Sequence, residues 1–113
     1  MPRGVLVTTR LEGDTAVLRV EGDVDLSSSG PLEASVASVV DSGVRRLVLD
    51  LGDVAFLDCA GIRLLLTVRE LTESKGGWLR LERVPPMVLR VLRLTGTHTL
   101  LGLEPDLPRP AGP

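Results

Sequence analysis

Two short stretches put acids next to side chains small enough to leave backbone within a partner's reach. "FLDCAG", residues 56–61, ends an apolar run at Asp58, then gives Cys59, Ala60 and Gly61 before a second apolar run from Ile62. An Asp ahead of a helix accepts from the orphan N–H groups of the first turn. Small residues in that turn leave the positive helix end open to an anion or a partner's backbone. "GDVDL", residues 22–26, sets Asp23 and Asp25 after another apolar run, with Ser27, Ser28 and Ser29 following. Such a carboxylate pair could act as nucleophile and acid/base, or serve turn and cap chemistry. Cys59 could sense oxidants, because a helix dipole stabilises a thiolate at its start, although Asp58 opposes this. It could equally be a small structural hydrophobe.

These stretches must be positioned by regular elements. "VLVTTRLEG" and "TAVLRVEG" read as strands joined by a hairpin at Gly13-Asp14. Ser28 or Ser29 can cap a helix over about 28–42, with Pro31 in its first turn and Gly43 at its end. "RRLVLDLGD" carries the continuous apolar run of a strand covered on both faces, so residues 47–50 should be interior. A helix follows over about 59–74, ending at Gly76-Gly77; "WLRLE" is a fourth strand and "PPMVLRVLRLTG" a shorter helix. The order β-β-α-β-α-β-α predicts an α/β domain with a mixed sheet, an antiparallel edge hairpin joined to parallel strands. In such a sheet both acidic stretches fall beyond the carboxyl ends of parallel strands, where binding sites form.

The totals narrow the function. A chain of 113 residues fits one domain over 1–103, with residues 104–113, "EPDLPRPAGP", as a Pro-rich disordered tail. Phe56 and Trp78 are the only aromatics, and the formal net charge is −2, which argues against nucleic acid as a partner. No apolar stretch approaches about 20 residues, so no membrane insertion is expected and the protein is read as cytoplasmic. The single cysteine fits a reducing compartment. His98 and Cys59 are each alone in type, without ligand spacing, so no metal or other cofactor is expected. His98 is read as a solvated loop residue.

"GDVDLSSSGPLEASV", "RRLVLDLGDVAFLDCAGIRLLL", "GGWLRLERVPPMVLRVLRLTG" and "HTLLGL" follow one another in an order that resembles the STAS domain. That family joins sulfate transporters with anti-sigma factor antagonists, and the resemblance runs from about residue 5 to residue 103. It implies a four- or five-stranded mixed sheet with three to four helices. It also implies that a free-standing member binds a kinase-like ATPase anti-sigma factor and thereby releases a sigma factor. In such antagonists the Ser directly after the Asp is phosphorylated by that partner, which blocks binding. The matching position here is Cys59, which cannot become phosphoserine, and Ala60 offers no neighbouring hydroxyl. The resemblance therefore implies an antagonist without this phosphorylation control, whose partner-binding residues are Asp23, Asp25, Ser28, Asp58, Cys59, Ala60, Gly61 and Ile62. It leaves room for a homodimer and for a nearby Ser taking over as acceptor.

Other readings compete. "DVDL" is similar to the nucleophile motif of aspartyl-phosphate phosphatases, but the chain is short for that fold and Lys75 is its only lysine. Neither the acids nor Lys75 fall where a phosphoacceptor receiver domain needs them, so the protein is read as a non-enzyme. A STAS regulatory or scaffold subunit of a membrane transporter or lipid-transport complex is an alternative, and a Cys59 redox sensor is another. In "GIRLLLTVREL" the apolar residues Ile62, Leu64, Leu65, Leu66, Val68 and Leu71 form a wide stripe, from which some apolar surface is expected to remain for a partner.

Overall fold

The computed structural model describes residues 5–103. Its elements are β1 (Val5–Glu12), β2 (Thr15–Val24), α1 (Ser29–Asp41), β3 (Arg46–Leu57), α2 (Cys59–Ser74), β4 (Trp78–Glu82) and α3 (Pro86–Leu94). The strands form one sheet in the order β1-β2-β3-β4, with β1 antiparallel to β2 and the other pairs parallel. This is the expected mixed α/β sheet with an edge hairpin, at four strands and three helices. The Pro-rich tail expected at 104–113 lies outside the described residues.

Parity along the strands decides where the core lies. Ala16, Leu18 and Val20 of β2 share a face with Leu47, Leu49 and Leu51 of β3, because Ala16 pairs with Leu47 and Leu18 with Leu49. Leu32 and Val36 of α1, Leu65 and Val68 of α2, and Val88 and Leu92 of α3 join the same buried cluster. All three helices thus cover one face of the sheet.

The opposite face has no helix layer, which corrects the expectation for β3. Val48 is buried, yet it stands outside the core cluster. Its register partners are Val17 and Arg80, and Arg10 pairs with Val17, so arginine stems flank the valine pair. Ion pairs dress the rest of this face: Arg19 with Glu21 and Asp53, Arg10 with Glu12, and Arg83 with Asp50. Burial works to raise the Asp50 carboxyl, but its bonds to Arg83 and the Gly52 N–H prevail and hold it below the usual range. A continuous apolar run therefore marks a central strand here without requiring two helix layers.

Two further expectations fail for packing reasons. The wide stripe of α2 leaves little free apolar surface, since Ile62, Leu64, Leu65 and Val68 are buried and Leu66 and Leu71 pack against the core. The helix lies against α1 as well as β3 and β4, so both sides of the stripe are covered. His98 is likewise buried rather than solvated, at 9% exposure. The chain turns back after α3 through Leu101 N–H to Thr97 O and Leu103 N–H to His98 O, which brings His98 and Leu101 onto the domain.

Leu49→Ala should cost about 2–5 kcal/mol in urea unfolding, because Leu49 is fully buried among β2, α1 and α2 residues. Leu26→Ala, at a position 80% exposed, should change stability by less than about 0.5 kcal/mol. Comparable losses in both variants would contradict the single-face core.

Candidate partner-binding site

Parallel pairing of β2 with β3 brings the two acidic stretches together. Asp23 pairs with Phe56 and Val24 with Leu57, so both strands end side by side, and Asp58 N–H donates to Val24 O at 3.3 Å. A register shift between Gly22 and Asp23 marks an irregularity just before the loop.

The β3–α2 junction is built by Asp58. Its backbone is extended, and its Oδ1 accepts from the Gly61 N–H at 3.1 Å, as expected of an N-cap. Gly61 is required by close approach: a Cβ there would lie 2.7 Å from Val24 O and 2.8 Å from Leu57 Cγ. The first turn of α2 thus packs directly on the end of β2. Cys59 is exposed at this turn and Ala60 half-buried, whereas Gly61 and Ile62 are buried.

The β2–α1 loop is held by Asp25 and Ser28. Asp25 Oδ1 accepts from the Ser27 N–H, the Ser27 hydroxyl, the Ser28 N–H and the Ser28 hydroxyl, at 2.9–3.1 Å. The Ser27 hydroxyl is the largest influence holding this carboxyl below its ordinary range; burial opposes, and Ser28 adds to the lowering. Ser28 occupies the N-cap position of α1 but makes no capping bond. Its hydroxyl instead lies 2.6 Å from Asp23 O and 2.9 Å from the Asp25 N–H, buried within the loop. Among the expected contact residues, Asp23, Asp25, Asp58 and Ala60 are half-buried and Cys59 is exposed, while Ser28, Gly61 and Ile62 are interior.

Two apolar side chains beside these acids escaped the sequence reading. Leu26 is 80% exposed in the β2–α1 loop, and Phe56 is 47% exposed at the β3 end that pairs with Asp23. Their signal was faint: Phe56 looked like one more member of an apolar run, and only the strand's registry shows it turned outward. The resulting face combines carboxylates, an open thiol and isolated apolar groups. Among the described residues no His, Cys, Asp and Glu group could hold a metal ion, and no helix is long and apolar enough to cross a membrane.

The family model described as "Mlab, STAS domain" matches residues 7–103. The chain belongs to the STAS domain family. Two curated relatives are a candidate anti-sigma factor antagonist, BtrV, of Bordetella bronchiseptica and the anti-sigma-F factor antagonist RsfB of Mycobacterium tuberculosis. The first is 36% identical over 68% of this chain and 66% of its own length; the second is 33% identical over 61% and 57%. This STAS chain therefore spans a little under two thirds of the lengths of those relatives. The crystal structure of an anti-sigma factor antagonist from Mycobacterium paratuberculosis superposes with a TM-score of 0.76 at 26% identity, covering 91% of this chain and 87% of that one.

Gly61→Ala should destabilise the domain by about 1–3 kcal/mol, since the new methyl meets a backbone carbonyl. Cys59→Ser should stay within about 0.5 kcal/mol at its exposed site. Thermal melts of both decide whether the junction is packed as described.

Because Asp25 is depressed in the fold, its contribution to stability is present above the unfolded value of about 3.9 and is lost as pH falls through the folded value. Ser27→Ala should move the Asp25 titration midpoint upward in an NMR pH series. An unmoved midpoint would show that the serine bonds do not set it.

Proposed function

We propose that this STAS domain is an anti-sigma factor antagonist that binds a kinase-like ATPase anti-sigma factor and so frees a sigma factor. The family match and the named relatives support this reading. One observation carries the choice of surface: the β2–α1 loop and the α2 start adjoin, with Leu26, Phe56 and Cys59 exposed beside Asp23, Asp25 and Asp58. In this proposal Asp23, Asp25, Asp58, Cys59 and Ala60 face the partner. Ser28, Gly61 and Ile62 act from within, by holding the loop and seating the helix.

Cys59 occupies the position at which the family's phosphorylated members carry Ser. A phosphate there would add about −1.5 to −2 charge beside Asp58, and like-charge repulsion would disrupt a docking face built around that carboxylate. A thiol gives a Ser/Thr kinase no hydroxyl to modify. The domain is therefore held in its binding-competent state, and control over the pathway passes to its abundance or to the partner.

Binding and folding must be separated at an exposed position, because Gly61 is part of the packed junction. Cys59→Glu should lower affinity for the anti-sigma factor at least about tenfold in calorimetry, while the melting temperature stays unchanged. Unaltered affinity would move the interface elsewhere. Co-purification with a transporter ATPase instead of an anti-sigma factor would replace the antagonist reading with that of a transporter subunit.

Incubated with the partner kinase and ATP, the wild-type domain should gain no phosphate by intact mass. Cys59→Ser should gain one and then bind more weakly. Phosphate on wild-type Ser27, Ser28 or Ser29, with loss of binding, would show a displaced switch and overturn the unregulated reading.

A further inference from the structure

The sheet face without a helix layer carries its charge in two separate halves. Register sets its residues in rows across the strands. Arg10, Val17, Val48 and Arg80 form one row, and Thr8, Arg19, Asp50 and Glu82 form the next toward the strand ends. Arg46 lies one row before the first, and Asp53, beside Glu21, one row beyond the second. Where β3 and β4 start, Arg10, Arg46 and Arg80 stand against Glu12 alone. At the other end Glu21, Asp50, Asp53 and Glu82 stand against Arg19 and Arg83.

Pairing within the fold does not use up this separation. Arg19 is shared between Glu21 and Asp53, and Arg83 between Asp50 and Asp53, so carboxylates remain in excess at the acidic end. At the basic end Arg46 is exposed and, among the described residues, has no carboxylate partner.

A second copy of the chain supplies the complement. Turned over by a two-fold axis that lies in the face and crosses the strands, it runs its strands antiparallel to the first, each over its own counterpart. Its acidic half then covers the basic half, and the same contact recurs with the roles exchanged. Arg46 comes opposite the second copy's Asp53, and Arg80 opposite the second copy's Glu82. Sheets packed face to face cross at about 30°, an angle that long side chains can span. A two-fold axis along the strands would instead set basic half on basic half, and like charges opposed are costly. The charge pattern therefore selects one orientation.

We propose that the open sheet face binds a second copy of this chain, as a face-to-face dimer with opposed strands. Four strands span about 19 Å and seven residues about 23 Å, so the dimer covers roughly 900 Å² over both copies. That is at the low end of specific interfaces and suits a weak, reversible association. The helices lie on the other face, so the first turn of α2 stays open in both copies.

Sedimentation equilibrium from micromolar to millimolar concentration should show the mass rising from one chain toward two, and rising less in high salt. Arg46→Glu and Asp53→Arg should each weaken the dimer at least about tenfold, since each opposes like charges twice across the two-fold axis. An equimolar mixture of the two variants should regain the dimer, because each altered charge then meets its opposite in the other chain. Should Asp53→Arg melt early through loss of its bond to Arg19, Arg80→Glu mixed with Glu82→Arg makes the same test at the neighbouring contact. A single-chain mass at every concentration overturns the proposal. So does growth past two chains, a dimer indifferent to salt and to both variants, or a mixture that stays monomeric.

Discussion

The contact between the first turn of α2 and the end of β2 is the constraint on which this molecule's surface depends. Gly61 allows it, because any side chain there would meet the Val24 carbonyl. The Asp58 N–H donates to the same carbonyl, and the Asp58 carboxylate closes the turn on Gly61 N–H. One backbone oxygen thus joins a strand end, a helix start and the two acidic stretches. A helix seated even slightly farther from β2 would separate Cys59 from the Asp23–Ser28 loop and divide the proposed docking face.

The rest of the fold supplies that junction with rigid support. Leu18 and Leu49 anchor paired strands beneath it, and Leu65 and Val68 fix α2 to the same buried layer. The loop opposite is stiffened by Ser28, whose buried hydroxyl bridges Asp23 and Asp25 backbone while Asp25 Oδ1 gathers four neighbouring donors. Ordering a loop before binding lowers the entropy lost on association, so a small surface can still be specific.

The uncovered sheet face is managed by charge. Alternating arginines and acids pair along β1, β2 and β4, and Arg19 also reaches across to Asp53 of β3; such exposed pairs add little stability. Their use is to keep an open sheet face polar while Val17 and Val48 sit beneath arginine stems.

Local pattern by itself determined the order of elements, the hairpin at Gly13-Asp14, the Asp58 cap and α2's extent, because turn chemistry and apolar period act within a few residues. The ordered motifs also carried the STAS resemblance. Tertiary structure decided the rest. An apolar run such as Leu47 to Leu51 reads alike whether two helix layers cover it or one layer and a set of arginine stems. The wide stripe of α2 looked partly free until α1, β3 and β4 closed on it, and His98 looked solvated until the turn after α3 folded back. The outward aim of Phe56, the burial of Ile62 and Gly61's contact with Val24 depend on which strand lies beside which, and in what register. Those are relations between residues more than 30 positions apart, and periodicity within a segment does not encode them.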